Sequence, residues 1–262
     1  MRVLGKFIFL LAVLAGLYIG LSQINWMKHF QVEKNENKLE KKLGNLIIKN
    51  IDQLYEQVDE DSVKSIIDSL ALPLLKDNSI SSSNYKFHVI RDTEVNAFAL
   101  PDDHILITTG LIQFLDSADY LSAIIAHEVA HCEKNHVMKS LVTNFGLDLL
   151  LSGSGTGEVT NFLTGQAFSR KLEKEADETA VKYLMEANIN PKSLANVMEL
   201  FDIHFSSDAD LSWISSHPAS MERKEYINKS IQRLHGEASE YKHSIRQETW
   251  TKLQELVSAN EN

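Results

Sequence analysis

The chemistry of this chain concentrates in His127-Glu128-Val129-Ala130-His131. Two histidines at i and i+4 differ by about 40° around a helix, so both imidazoles can grip one ion. The segment lies in an apolar run with Leu121, Ile124 and Ile125, and Asp116 or Ser117 stands where an N-cap is needed. Zinc suits two neutral imidazoles plus a carboxylate, with a fourth position left open to water. Glu128, one residue along from His127, reaches that water rather than the ion. The ion lowers the pKa of the water towards 7, and Glu128 then takes its proton and passes it to a leaving amine. This is metal-assisted peptide hydrolysis, with Glu128 catalytic, His127 and His131 as metal ligands and one Zn2+ per chain.

The third ligand must be acidic and returned to the site by the fold. Ser169-Arg-Lys-Leu-Glu-Lys-Glu-Ala-Asp-Glu178 supplies candidates. A helix leaving His131 and ending near Leu150 travels about 28 Å, and a return helix from Glu158 to Glu173 covers about 22 Å. The loop Ser152-Gly-Ser-Gly-Thr-Gly157 absorbs the difference. A helical hairpin therefore favours Glu173, with Glu175 and Glu178 as competitors. Asp177, one turn beyond Glu173 on the same face, is placed to accept the outer N–H of a zinc histidine and hold its tautomer. Without a metal the same run would be an ordinary solvated helix face.

The elements that must position these groups follow from periodicity. Residues 35–76 read as helical through Leu43, Ile47, Ile51, Leu54 and Val58. Asn78 to Asn84 is a polar turn, after which Phe87, Val89, Ile105 and Ile107 alternate with polar residues. Two or three short strands fit 85–108, broken at Leu100-Pro-Asp-Asp103. Helices fit 117–136 and its continuation to 151, then 158–187, 191–205 and 219–235. Tyr241, Ile245, Trp250, Leu253 and Val257 suggest a last amphipathic helix. The fold class is α+β, mainly helical, with a small sheet ahead of the active-site helix. With 262 residues, 44% of them hydrophobic, the chain has room for one full-sized core. A single cysteine, Cys132, excludes an intramolecular disulfide. The net charge of −10 repels phosphate backbones, so no nucleic-acid partner is expected.

Between Lys6 and Lys28 lie 21 uncharged residues, about 31 Å as a helix and so close to a bilayer's thickness. Gly20-Leu21-Ser22 offers small residues for signal cleavage, whereas Trp26 sits where an interfacial anchor would sit. The expectation is a membrane anchor or a signal peptide over 1–27. The body is then translocated, either anchored to the inner membrane and facing the periplasm or released there.

Four separated motifs give the chain a family likeness. Val95-Asn-Ala-Phe-Ala-Leu-Pro101 is followed by Ile107-Thr-Thr-Gly-Leu111, then by the His127–His131 motif with His136 five residues on. Ser169-Arg170, Glu173 and Ala176-Asp177 come next, and Ser216-His-Pro218 with Arg223 closes the set. From about Tyr85 to Leu234 the chain resembles the HtpX-like zinc metallopeptidases, grouped with the CAAX prenyl proteases and the mitochondrial and periplasmic quality-control peptidases. The resemblance implies a zincin-type domain with Glu173 as third ligand and Asp177 behind a histidine. It also draws attention to Asn96, Ala97 and Phe98, an exposed strand able to pair with an extended peptide. His217 becomes a donor to the oxyanion or a fourth, inhibitory ligand, and Arg223 binds the same oxyanion or anchors the loop. Asp102-Asp103 departs from the glycines usual after the proline. One apolar segment, rather than several, disfavours prenylated substrates.

The expected organisation is an anchor or signal over 1–27, a helical region over 28–84, a catalytic domain over 85–235 and a C-terminal helix over 236–262. The expected function is an envelope zinc endopeptidase acting on extended or misfolded polypeptide. A latent, zinc-stabilised, chaperone-like binding protein is the alternative.

Overall fold

A computed structural model describes residues 32–146, 168–205, 217, 221–234 and 240–258. The chain divides into two compact units, Met1–Leu39 and Glu40–Asn262. Of the first, only the opening turns of one helix are described. The expected anchor or signal over 1–27, the loop 152–157, Ser216 and Pro218 lie outside the described residues. No helix among the described residues is long and apolar enough to cross a membrane.

Helix α1 (Val32–Leu54) buries Leu43, Ile47 and Ile51 along one stripe, and α2 (Asp61–Asp77) buries Val63, Ile66, Ile67, Leu70, Leu74 and Leu75. The sequence predicts one helix over 35–76, but the chain leaves helix geometry between them. There Val58 donates its N–H to the Val89 carbonyl at 2.8 Å, and Arg91 donates to the Glu56 carbonyl at 2.8 Å. Covering a strand edge satisfies backbone groups that a continuous helix would leave open.

That edge belongs to β1 (Lys86–Ile90), which runs parallel to β3 (His104–Thr108), while β2 (Ala97–Leu100) pairs antiparallel on the other side of β3. All five β3 residues are buried, as suits a central strand. The β2–β3 turn places both Asp102 and Asp103 at positive φ, 63° and 55°. This is why glycines are usual here, and aspartate is among the few other residues that tolerate the left-handed region. Lys86 anchors the turn, its Nζ donating to Asp102 Oδ2 at 2.6 Å.

After the short α3 (Thr109–Phe114) comes α4 (Ala118–Glu133), buried on nearly every side from Leu121 to His131. It packs against β2 and against α6 (Arg170–Glu186) and α7 (Lys192–Phe205). A helix apolar all round belongs at the centre of a domain. Its first turn is tied down by Asp119, which accepts from both the backbone N–H and the hydroxyl of Ser244, each at 2.7 Å. The rod expected to run on to residue 151 is broken at Asn135, a left-handed residue with φ 54°, and α5 (His136–Phe145) starts in a new direction. The break folds His136 back onto α4. Helix α8 (Met221–Leu234) packs on α6 and α7, and α9 (Gln247–Ser258) seals α2 and α3 with Trp250, Leu253 and Val257. Tyr241 and Ile245 precede that last helix rather than joining it. The mainly helical α+β class read from periodicity holds, with three strands ahead of the active-site helix.

Two features generate predictions. Gly44 of α1 lies so close to the β2–β3 turn that a Cβ would come within 2.5 Å of the Pro101 carbonyl oxygen. Alanine normally stabilises an exposed helix by about 1 kcal/mol over glycine, yet here Gly44→Ala should destabilise by about 1–3 kcal/mol. Urea unfolding of the two proteins checks the sign.

The second feature is a histidine pair on the sheet, His104 buried and His88 partly so. His104 Nδ1 lies 2.8 Å from His88 Nε2, with Lys86 Nζ 3.3 Å from His104 Nε2 and Gln57 Oε1 3.4 Å from His88 Nδ1. Because Lys86 only donates, His104 must accept at Nε2 and donate from Nδ1, which leaves both rings neutral. Burial, then Lys86 and His88, pull the pKa of His104 down to about 4. The stabilisation from keeping it neutral is present above about pH 6.5 and is lost as pH falls towards 4. Thermal melts should therefore decline less steeply from pH 6.5 to 4 in His104→Phe than in the wild type.

Candidate metal centre

His127 and His131 leave α4 on one face, and their Nε2 atoms face each other at 3.1 Å. Glu173 enters from the first turn of α6, Oε2 at 3.5 Å from His127 Nε2 and Oε1 at 3.5 Å from His131 Nε2. His217 closes the group: its Nδ1 is 3.0 Å from Glu173 Oε1 and 3.3 Å from His127 Nε2. One donor atom from each of the four residues lies within 4.8 Å of the others, and all four residues are buried. A tetrahedral zinc with bonds of about 2.0–2.1 Å needs ligand atoms roughly 3.3 Å apart, which is the spacing seen.

The outer ring atoms explain why these donors present lone pairs to one another. His127 Nδ1 is 2.9 Å from Asp177 Oδ1, and His131 Nδ1 is 3.2 Å from His136 Nδ1. When each outer nitrogen donates, each Nε2 keeps its lone pair for a cation. The set fits zinc in number, type and spacing.

Behind the donors stands Arg223 of α8, itself buried. Its Nε and Nη2 donate to the two oxygens of Asp177, each at 2.9 Å, and its Nη1 reaches Glu173 Oε2 at 2.9 Å and the His217 carbonyl at 3.0 Å. Tyr226 Oη adds a 2.6 Å bond to Asp177 Oδ2. One guanidinium thus offsets two buried carboxylates and ties down the His217 backbone. Burial alone would raise the pKa of Asp177, but Arg223 and His127 hold it below the usual carboxylate value. Glu173 is likewise held well below that range, against burial, by His217 and Arg223. Burial lowers His127, but hydrogen bonds that its ring donates to Asp177 and Glu173 outweigh it and lift its pKa to about 9. Burial and then His127 push His131 well below its ordinary value. A cation at the site takes the place of the His127 proton.

Glu128 points the other way from α4, towards the sheet. Its Oε2 accepts the Ala99 N–H at 2.9 Å, and its Oε1 lies 3.6 Å from His217 Nε2. The structure thus gathers Glu128, the donor set, Asp177 and Arg223 in one place. Glu175 and Glu178, the competing acids, lie outside the cluster: Glu175 Oε2 is 3.5 Å from His136 Nε2 and Glu178 pairs with Arg233. The exposed strand expected over Asn96, Ala97 and Phe98 is instead buried, because β2 is packed between β3 and α4, and Asn96 Oδ1 accepts the Ala97 N–H at 2.8 Å. Arg223 faces the carboxylates. Tyr226, Phe168 and the Ala99 amide were not legible in advance. Phe168 lies against the His131 ring at 4.2 Å between centroids. Only the i, i+3 spacing of Tyr226 from Arg223 carried a hint.

A family model described as Peptidase family M48 matches residues 57–231. The chain belongs to peptidase family M48. The match bears out the HtpX-like resemblance, identifies the domain as that of a zinc metallopeptidase and makes zinc its cofactor. Among relatives, the chain is 29% identical over 189 residues to mitochondrial metalloendopeptidase OMA1 of Schizosaccharomyces pombe, covering 68% of this chain and 55% of that protein. It is 29% identical over 157 residues to metalloprotease LoiP of Escherichia coli, covering 55% and 61%. With the beta-barrel assembly-enhancing protease of Escherichia coli it shares 22% over 179 residues, 61% of this chain and 37% of that protein. The chain therefore spans from about a third to three fifths of the length of these M48 relatives.

Removing the carboxylate behind His127 should weaken the metal without unmaking the first ligands. Asp177→Ala is expected to raise the zinc Kd about 10–100-fold in chelator competition, while Glu178→Ala leaves it within twofold. Equal affinities for wild type and Asp177→Ala would contradict the geometry.

Proposed function

We propose that this M48 chain is a zinc-dependent metalloendopeptidase that cuts extended or misfolded polypeptide in the cell envelope. The observation that carries the reading is Glu128, a buried carboxylate beside a zinc donor set, with one oxygen anchored by a strand amide and the other 3.6 Å from Nε2 of His217. Zinc, when bound, supplies Lewis acidity towards a water and a peptide carbonyl. In this reading Glu128 takes a proton from the attacking water at the oxygen facing the centre and delivers it to the leaving nitrogen. Asp177 and Arg223 keep His127 and Glu173 in register so that the centre need not reorganise. The Ala99 N–H, already donated to Glu128, fixes the base beside the strand that borders the centre. His217 donates to the developing oxyanion.

The envelope assignment rests on the apolar segment before Lys28 and on the names of relatives. One is mitochondrial and another is named for assembly of β-barrels. In this reading residues 1–27 anchor or export a catalytic body formed from about 85–235, supported by the helices on either side.

A second reading, a latent enzyme, is favoured by one measurement: His217 Nδ1 is as close to Glu173 and His127 as a fourth ligand would be. His217 then holds the resting centre shut until substrate displaces it.

Cleavage of an unfolded protein such as denatured casein, with zinc content measured beside it, tests both readings. Glu128→Gln should lower the rate about 10²–10⁴-fold while keeping one zinc per chain; activity within tenfold of wild type would refute the assignment. His217→Ala should raise the rate if His217 is the resting ligand, and lower it if His217 serves the oxyanion.

A further inference from the structure

The N-terminal turns of α6 and α8 meet beside the metal centre and enclose a cavity of about 600 Å³. Glu173 and Arg223 form its inner wall, and Phe168, whose ring lies on His131, lines it as well. The cavity therefore lies against the metal centre on its Glu173 side.

Its electrostatics run against those of the chain. Arg170, Lys171 and Lys174 on α6 are exposed on its wall, and none has an acidic partner among the described residues. Lys174 is engaged only over the Tyr226 ring, 5.7 Å from its centroid. By contrast Lys224, Lys229 and Arg233 of α8 are paired with Glu199, Glu225 and Glu178. Of the acids on the wall, Glu225 is spoken for by Lys229 and Glu173 by Arg223, which leaves Glu222 against three cations. Both bordering helices also begin at this cavity, α6 with Ser169 accepting the Leu172 N–H, so their positive dipole ends lie beside it. On a chain of net charge −10 this is a local positive field facing a cavity next to the reaction centre.

We propose that this cavity is a specificity subsite that takes a carboxylate of the substrate polypeptide, with Lys171 and Lys174 as its main selectors. The proposal rests on the endopeptidase reading above and deepens it. The carboxylate can come from an aspartate or glutamate side chain near the cleaved bond or from a free C-terminus. In either case it meets the ammonium groups at the wall while the adjoining peptide bond lies at the centre.

The test uses the full zinc-loaded chain at low salt and a set of quenched peptides that differ only by Glu, Gln or Lys at each position around the cleaved bond. Each peptide is made with a free and with an amidated C-terminus. The expected result is a kcat/KM about tenfold higher for Glu than for Gln at one position, shrinking as salt is added. In Lys171→Glu/Lys174→Glu the preference should invert towards Lys, while Lys252→Glu on α9, outside the cavity wall, keeps the wild-type ratio. A preference that survives amidation assigns the site to a side chain, and one lost on amidation assigns it to the C-terminus. Equal rates for Glu and Gln peptides at every position with no effect of amidation, or an unchanged preference in the double variant, would overturn the proposal. Fluorescence anisotropy of the same peptides on zinc-loaded Glu128→Gln separates the two claims. Loss of discrimination in binding refutes the subsite, whereas tighter binding of Glu peptides without cleavage by wild type counts against the endopeptidase reading alone.

Discussion

Four electron-pair donors, two of them on one turn of helix α4, face one another inside the buried core at 3.0–3.5 Å. Such an arrangement is repulsive unless a cation or a proton sits among them, and the rest of the domain is arranged to make it tolerable. Asp177 and His136 hold the outer ring nitrogens, Arg223 spreads one positive charge over Asp177, Glu173 and the His217 carbonyl, and α4 is sealed by apolar neighbours on nearly every side. Buried charge survives only with partners of good geometry. The guanidinium meets that condition, with both oxygens of Asp177 and one of Glu173 within 2.9 Å.

The small sheet serves the same end. Strand β3 is buried on both faces and fixes β2 beside α4, and β2 spends one outward amide, that of Ala99, on Glu128. A carboxylate held at one oxygen retains a lone pair at the other for proton transfer. The tight approach of Gly44 to the Pro101–Asp102 turn and the Lys86 anchor on Asp102 keep that strand from drifting. Fold and centre are thus coupled through the β2–β3 hairpin.

Much of this was legible in the chain of letters, and the remainder was not for definite reasons. The i, i+4 histidines lie on a helix by pattern alone, and Glu173 and Asp177 share a face because they too are four apart. Spacing could not choose among Glu173, Glu175 and Glu178, since that choice depends on where α6 begins and which of its faces meets α4. The break at Asn135 was hidden because the apolar pattern continues through it, and only a left-handed residue turns the chain there. Arg223 was visible as a motif residue, but its direction was not: an arginine near a metal motif can face substrate or carboxylates, and two buried acids within reach decide for the latter. The helix expected over 35–76 failed because Val58 satisfies its backbone on the β1 edge. Local pattern is silent on such long-range pairing.

The central claim is the composition of the metal centre, and X-ray absorption at the zinc edge of the full chain reads it most directly. The account predicts one zinc per chain with only nitrogen and oxygen neighbours, His127 and His131 among them, and a third imidazole in the wild type, lost in His217→Ala, where His217 is the resting ligand. A sulfur neighbour from Cys132, or fewer than two imidazoles in the wild type, would contradict it.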